Sequence, residues 1–251
     1  MGRTPLAWAS TNGHEAVVKM LLSRADIDPD KPAEGGQTPL IGAAYSGYEG
    51  IVKMLLGRDD VNPNKPDQGA GTPLGWAAWR GHGAVVEMLL SRADIDPNML
   101  GVGGRTPLVL ASLEGQEEVV KMLLGRDDVD PNKPGRLGGT PLMCAAWKGH
   151  EAVVKILLSR ADTDPNKPGE GGRTPLCCAA RNGYEGVVKI LLGRGDINLD
   201  KPDNGGLSPL LWAASNGHEG VVKMLLGQDN VDPDKPYEYG RTPLWSATCN
   251  K

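Results

Sequence analysis

The chain repeats itself without a slip. Thr-Pro-Leu opens at Thr4, Thr38, Thr72, Thr106, Thr140 and Thr174, returns as Ser-Pro-Leu at Ser208, and opens again at Thr242, a constant spacing of 34 residues. All four histidines, His14, His82, His150 and His218, fall at one slot of that unit. Seven full copies are followed by an eighth that stops at Lys251. A fixed period of this length marks a stack of like supersecondary units, none able to bury its apolar face alone. That removes most enzyme architectures, and residues 1–251 are expected to form a single repeat domain.

Residue order within a unit dictates two helices and a loop. In the fifth copy Thr140 is placed to cap a helix, and Pro141 suits the first helical position, where its missing N–H is no loss. Leu142, Ala145, Ala146 and Gly149 then form an i, i+3, i+4, i+7 stripe whose small residues admit a close neighbour. A second helix over 151–158 carries Val153, Val154, Ile156, Leu157 and Leu158, an all-round apolar pattern expected of a helix sandwiched between copies. Beyond Arg160, Asp164-Pro165, Lys167-Pro168 and Gly171-Gly172 cannot continue a helix. Roughly a dozen residues per unit therefore form a protruding, hairpin-like loop.

The 35 glycines and 20 prolines sit at fixed slots and punctuate turns rather than signalling disorder. A net charge of −4 gives no general attraction to nucleic acid or anionic membrane. No apolar run reaches the roughly 18 residues a membrane helix needs, and the start lacks a signal-peptide apolar region. Cys144, Cys177, Cys178 and Cys249 form no C-x-x-C pair and no zinc-type spacing. Cys144 and Cys178 share a slot in adjacent copies, where helices stacked about 8–10 Å apart exceed the ~7 Å that a disulfide spans. Reduced thiols, no metal or cofactor, no membrane and a cytoplasmic setting are the expectations.

Thirty-four residues is also the tetratricopeptide length, but that family fills its unit with helix and carries Trp, Tyr and Phe at fixed slots. This chain has no Phe, and two prolines interrupt most units. Thr140-Pro141-Leu142, Ala145-Ala146, Gly149-His150, Val153-Val154, Leu157-Leu158 and Ala161-Asp162 instead resemble the ankyrin repeat, over essentially the whole chain and in register seven times. The resemblance implies a mainly α solenoid of helix-turn-helix-hairpin units, whose first-helix face and hairpin tips line a concave partner-binding groove. Two features depart from the family. Its units run to about 33 residues, which puts the extra residue in the Asp-Pro-Asn-Lys-Pro loop. Its His after Thr-Pro-Leu is replaced by Ala7, Ile41, Gly75, Val109, Met143, Cys177, Leu211 and Trp245, so the turn-stabilising hydrogen bond of that His is not expected here.

Odd and even copies alternate, with Ser23, Ser91 and Ser159 against Gly57 and Gly125, as if a two-unit block had been duplicated. Against that near-identity, variation is confined. Residues 13–26 and 149–162 differ at one position of fourteen, Met20 against Ile156, whereas 7–12 and 143–148 differ at five of six. At about 100° per residue, with the Thr-Pro-Leu leucine at 0°, the constant slots of the first helix fall near 300°, 40° and 340°. The varying slots fall near 100°, 140°, 200° and 240°, opposite the buried stripe. In a stacked array such faces align into one strip.

Every tryptophan lies on that strip: Trp8, Trp76, Trp79, Trp147, Trp212 and Trp245, joined by Tyr45, Arg80, Leu113, Glu114, Lys148, Arg181 and the four cysteines. Loop-tip slots add Gln37, Arg105, Arg136, Arg173, Leu207, Tyr237, Tyr239 and Arg241. Trp, Tyr and Arg dominate interface hot spots, so these are the expected ligand contacts. The strip is locally basic in an acidic chain, which favours an acidic or mixed ligand. The alternative for the tryptophans is packing between neighbouring first helices, which suits the slot near 100° (Trp245) better than the slot near 200° (Trp8, Trp76, Trp212). Met99, Leu100 and Val102 make the loop of copy three apolar, as a contact point or by drift.

The function expected is non-catalytic recognition of a protein or peptide ligand. Near-identical repeats varying at one face are most similar in look to the C-terminal ankyrin arrays of fungal NOD-like (NACHT-type) receptors. That resemblance implies the sensor segment of a larger receptor, with flanking repeats or domains of a parent protein covering ends that lack polar capping units. Alternatives are a structural or engineered array without a natural ligand, and single-stranded nucleic acid binding by tryptophan stacking, which sparse positive charge disfavours. Catalysis is not expected. The histidine slot also takes Tyr48, Gln116 and Tyr184, which marks it as structural, and no histidine shares a face with Cys177 and Cys178. The aspartates Asp26, Asp60, Asp94, Asp128, Asp162 and Asp196, each beside an arginine, read as a solvated, mutually neutralising stripe.

Overall fold

The computed structural model describes residues 4–233, and among them there are fourteen α-helices and no strand. Each copy supplies a pair: α1 (Pro5–Thr11) and α2 (Glu15–Leu22), α3 (Pro39–Ser46) and α4 (Glu49–Leu56), α5 (Pro73–Arg80) and α6 (Gly83–Leu90), α7 (Pro107–Glu114) and α8 (Glu117–Leu124), α9 (Pro141–Lys148) and α10 (Glu151–Ser159), α11 (Pro175–Asn182) and α12 (Glu185–Leu192), α13 (Pro209–Ser215) and α14 (Glu219–Leu226).

The expected local rules place both ends of each first helix. Thr72 Oγ1 accepts a hydrogen bond from the Gly75 amide at 3.0 Å, and Thr140 Oγ1 from the Met143 amide at 3.2 Å, each with proline at the first helical position. Such a cap is worth about 1 kcal/mol. At the other end Gly47, Gly81, Gly149 and Gly183 take left-handed φ of 77°, 75°, 76° and 72°, which costs glycine nothing. A second reason is tertiary: a Cβ on Gly47 would lie 2.7 Å from Nδ1 of His82 in the next copy. Three of the four histidines are ties between copies. Their Nε2 atoms lie 3.0 Å from the Tyr45 carbonyl oxygen (His82), 3.1 Å from that of Leu113 (His150) and 2.9 Å from that of Arg181 (His218). A carbonyl can only accept, so each ring donates through Nε2–H.

The chain divides into two compact units, Met1–Ala111 with Gln116–Arg136, and Ser112–Gly115 with Leu137–Lys251. In the first, α1, α3 and α5 pack in succession, as do α2, α4, α6 and α8. Leu40, Ile41, Ile51, Leu55, Leu74 and Leu89 are fully buried there. In the second, α9, α11 and α13 form one layer and α10, α12 and α14 the other, over Leu142, Leu157 and Leu176. Full burial of each such side chain favours folding by about 1.5–3 kcal/mol. The second helices are not sandwiched on every side, as their sequence suggested. In α10, Val153, Val154 and Leu157 are buried while Glu151 and Lys155 are exposed, so this layer forms an outer surface.

Two further ladders join the copies. Arg58 Nη1 donates to the Leu22 carbonyl at 3.0 Å, Arg92 to Leu56 at 2.9 Å and Arg194 to Leu158 at 3.0 Å, each reaching the C-terminal end of the preceding second helix. In the loops, Asn64 accepts from the Asp96 amide through Oδ1 at 2.9 Å and donates from Nδ2 to the Asp94 carbonyl at 2.6 Å. The expected hairpin is a tight tip closed by two backbone bonds, for example Asp67 N to Gly71 O at 3.0 Å with Ala70 N to Asp67 O at 2.9 Å, and Asp203 N to Leu207 O at 3.1 Å with Gly206 N to Asp203 O at 2.9 Å. Neighbouring tips are linked by Gln68 N to Gly35 O at 2.9 Å and Asn204 N to Gly171 O at 2.8 Å.

Candidate functional site

The varying side of the first helix divides into a buried part and an open part. At the slot near 100°, Ala7, Ile41, Gly75, Val109, Cys177 and Leu211 are buried. At the slot near 200°, Leu110 and Cys178 are buried as well, whereas Trp76, Cys144 and Trp212 are half-buried and Trp8 is 49% exposed. The slots near 140° and 240° stay open, with Tyr45, Trp79, Leu113, Trp147 and Arg181 half-buried and Arg80, Glu114 and Lys148 exposed. Variation on this side therefore falls partly on side chains buried between helices and partly on side chains open to solvent, which corrects the expectation of one accessible strip. The reason is that α3 is flanked by both α1 and α5 as well as by α4, and α11 by α9, α13 and α12. Contact on three sides leaves a first helix a narrower free arc than a helix packed on one side.

In the first unit the open side chains collect into an aromatic cluster. The Tyr45 ring meets Trp76 edge-on at 5.2 Å and Trp79 at 6.5 Å, and the two tryptophans lie 5.4 Å apart. Arg80 sits over the Tyr45 ring at 5.0 Å. Trp76 is not free to turn, because its Nε1–H donates to Asp67 Oδ2 at 2.9 Å, while Asp67 Oδ1 accepts from the Gly71 amide at 2.8 Å. The loop tip of one copy thus orients the tryptophan of the next.

The second unit repeats the device with a cation at its centre. Trp212 Nε1–H donates to Asp203 Oδ2 at 3.0 Å, and Asp203 Oδ1 accepts from the Gly205 and Leu207 amides at 2.9 and 3.0 Å. The Arg181 guanidinium lies 4.4 Å from the Trp212 ring and 5.2 Å from the Trp147 ring, and Arg173 lies 5.9 Å from Trp212. Arg173 Nε is 3.9 Å from Asp203 Oδ2, a loose ion pair. Asp67 and Asp203 were missed from sequence, although a signal exists. Aspartate stands nine residues before tryptophan in these two copies, while Gly101, Gly135 and Gly169 precede Leu110, Cys144 and Cys178.

Other expected contacts stand apart from the clusters. Of the tip residues, Gln37, Arg105 and Leu207 are half-buried and Arg136 is exposed. Trp245, Tyr237, Tyr239, Arg241 and Cys249 lie outside the described residues. Cys177 and Cys178 are buried and in no disulfide, so they cannot belong to an exposed binding face. Burial pushes the Cys178 thiol up to about 12 and raises that of Cys177, which leaves no reactive thiolate at neutral pH.

The arginines after the second helices behave as expected of a neutralised stripe. Arg92 grips Asp94 through Nε and Nη2 at 2.9 and 2.8 Å, and this hydrogen bonding holds the Asp94 carboxyl below the usual carboxylate range. Among the described residues no group of His, Cys, Asp and Glu could hold a metal ion. No described helix is long and apolar enough to cross a membrane.

Comparison with known families agrees with this geometry. The family model for ankyrin repeats (three copies) matches over residues 1–67, 26–100, 60–135, 128–203 and 196–251. No curated relative matches the chain significantly. With helix pairs whose first helices are capped, histidine ties between copies and family matches that together span residues 1–251, the chain belongs to the ankyrin-repeat family.

Proposed function

We propose that this chain is a non-catalytic protein-recognition module whose ligand lies on the open first-helix and loop-tip face. Ankyrin repeats generally mediate protein–protein interaction. The observation that carries the reading is the pair of half-exposed aromatic and arginine clusters, Tyr45, Trp76, Trp79 and Arg80 in one unit, Trp147, Arg181 and Trp212 in the other. Large rings already held in place add contact area at little entropy cost on binding. The unbroken period from Thr4 to Thr242 is the ground for treating residues 1–251 as one repeat domain.

The test selects peptide or protein binders against the immobilised chain and remeasures each on Trp79→Ala and Trp147→Ala. Neither indole N–H donates a hydrogen bond among the described residues and both rings are half-buried, so both variants should stay folded, with a melting point lowered only by the lost ring packing. An affinity loss of about 30-fold or more, the level of an interface hot spot, is expected for binders seated on that cluster. Binders indifferent to both substitutions would remove the proposal.

The finer placement, as the sensor segment of a fungal NOD-like receptor working in the cytoplasm, is supported by near-identical copies that vary at one face and by the buried, unpaired thiols Cys177 and Cys178. A nucleotide-binding domain encoded beside the repeats in the parent gene is the expected finding. A parent gene without one would remove that placement.

A further inference from the structure

The arginines of this protein form two populations. Those following the second helices are neutralised, as Arg58, Arg92 and Arg194 each hold the aspartate two residues on through two hydrogen bonds of 2.6–2.9 Å. On the first-helix and tip face, the side chains of Arg80, Arg105, Arg136 and Arg181 make no hydrogen bond and no ion pair among the described residues.

Arg181 is the most firmly placed of the four. Its guanidinium is held by the Trp147 ring at 5.2 Å and the Trp212 ring at 4.4 Å. Its own carbonyl faces His218 Nε2 at 2.9 Å, and Asp203 pins the Trp212 ring at 3.0 Å. Attraction of a cation to ring faces uses none of its five N–H donors. The planar fork that matches a carboxylate two-on-two is therefore positioned but unspent. Asp203 does not answer this need. Its Oδ2 is already taken by the indole, its Oδ1 by two amides, and its side chain is only 5% exposed. Lys148 on α9 and Arg173 add positive charge on the same side of the unit.

We propose that Arg181, held between Trp147 and Trp212, is the receptor for an aspartate or glutamate carboxylate of a protein ligand, with Arg173 and Lys148 drawing the acidic segment in. This rests on the recognition reading above and adds the ligand's chemistry to it. The partner is an acidic peptide segment rather than an apolar helix at this unit. The rings exclude water on the flanks of the guanidinium, and its ordering cost is met before binding.

The test is a titration of the full chain, labelled with ¹⁵N, against end-blocked hexaglutamate and end-blocked hexaglutamine. The resonances read are Arg181 Nε–H and the indole N–H of Trp147 and Trp212. Hexaglutamate should move all three and lose its effect as salt rises, and hexaglutamine should move none. Arg181→Gln should weaken hexaglutamate binding by about ten-fold or more. Arg181→Lys, which keeps the charge and stem, should weaken it less, and serves as the second variant where the glutamine variant melts early. Lys189→Gln, an equal charge change on the exposed side of α12, should leave binding unaltered. Equal shifts with hexaglutamine, or equal losses for Lys189→Gln and Arg181→Gln, would overturn the carboxylate receptor. A selected binder that depends on Trp147 but ignores Arg181→Gln would also overturn it, while leaving the recognition surface standing.

Discussion

Replacing Asp203 distinguishes a tryptophan that is held for a purpose from one that merely packs. The carboxylate accepts three hydrogen bonds, from Trp212 Nε1–H at 3.0 Å and from the Gly205 and Leu207 amides at 2.9 and 3.0 Å. Asp203→Asn preserves shape, but its NH₂ must face a donor: turned toward the Trp212 indole it loses one bond, turned toward the Gly205 and Leu207 amides it loses two, so the indole bond is the one given up. A hydrogen bond to a charged acceptor contributes about 1.5–3 kcal/mol. Because Trp212 is only half-buried, water regains part of that loss, so a destabilisation of about 1.5–2 kcal/mol is expected. The junction of copies three and four supplies a natural control, carrying Gly101 and Leu110 where the junctions of copies two and three and of copies six and seven carry aspartate and tryptophan. In a double-mutant cycle of Asp203→Gly with Trp212→Leu, the two losses should overlap by about 1.5 kcal/mol. Urea unfolding supplies the free energies, and hydrogen exchange at the Trp212 indole, which should quicken in Asp203→Asn, reports the bond directly. Losses that add to within about 0.3–0.5 kcal/mol, with unchanged indole exchange, would refute the claim that the tip orients the ring.

Two further predictions concern the ties between copies. Arg92→Ala removes the donation to the Leu56 carbonyl as well as the Asp94 pair, and should cost about 2 kcal/mol in urea unfolding. Arg24→Ala should leave the midpoint unchanged, because the Arg24 pair with Asp26 has the same geometry but no inter-copy carbonyl among the described residues; equal losses would place the energy in the surface ion pairs instead. Asp30 stands at the ladder position of Asn64, with Oδ2 accepting from the Asn62 amide at 2.8 Å and Oδ1 buried without a partner. Burial raises its carboxyl above the usual range, against the opposing pull of the Asn62 amide bond. A raised folded value means the protonated form favours folding: that contribution is complete below the unfolded pKa near 3.9 and is lost as pH rises through the folded one. Asp30→Asn should therefore be the more stable protein at neutral pH by about 1 kcal/mol, and the gap should close on acidification. A gap independent of pH would show that the charge on Asp30 is not its cause.

The fold was almost wholly legible in the chain because its information is local and repeated. Threonine, proline and glycine mark the ends of α3, α5, α9 and α11 by rules that need no knowledge of neighbours, and a constant period implies that successive copies within each unit meet in the same way. Even the residue type tolerated at the histidine slot becomes intelligible once copies stack. The side chain need only lie against a glycine of the preceding copy that has no Cβ to exclude it, as His150 does at Gly115, Tyr184 at Gly149 and Gln116 at Gly81, and histidine adds a donation to the preceding first helix, as His150 does at Leu113.

The candidate site was legible only in part. Helical periodicity separates a constant side from a varying one, but it assumes one packed face, whereas these helices are flanked on three sides. Only coordinates could therefore show that Ile41 and Leu211 vary within the core while Trp79 and Arg181 vary at the surface. Long-range pairing was hidden for the same reason. Asp67 and Asp203 belong by sequence to the loop of one copy, yet their carboxylates orient tryptophans of the next. The repeat spacing by itself determined that this protein is a stack and on which side it changes. Tertiary packing decided which of those changes a partner can touch, because exposure and charge neutralisation depend on which side chains the neighbouring copies bring within reach, and a linear pattern does not contain those distances.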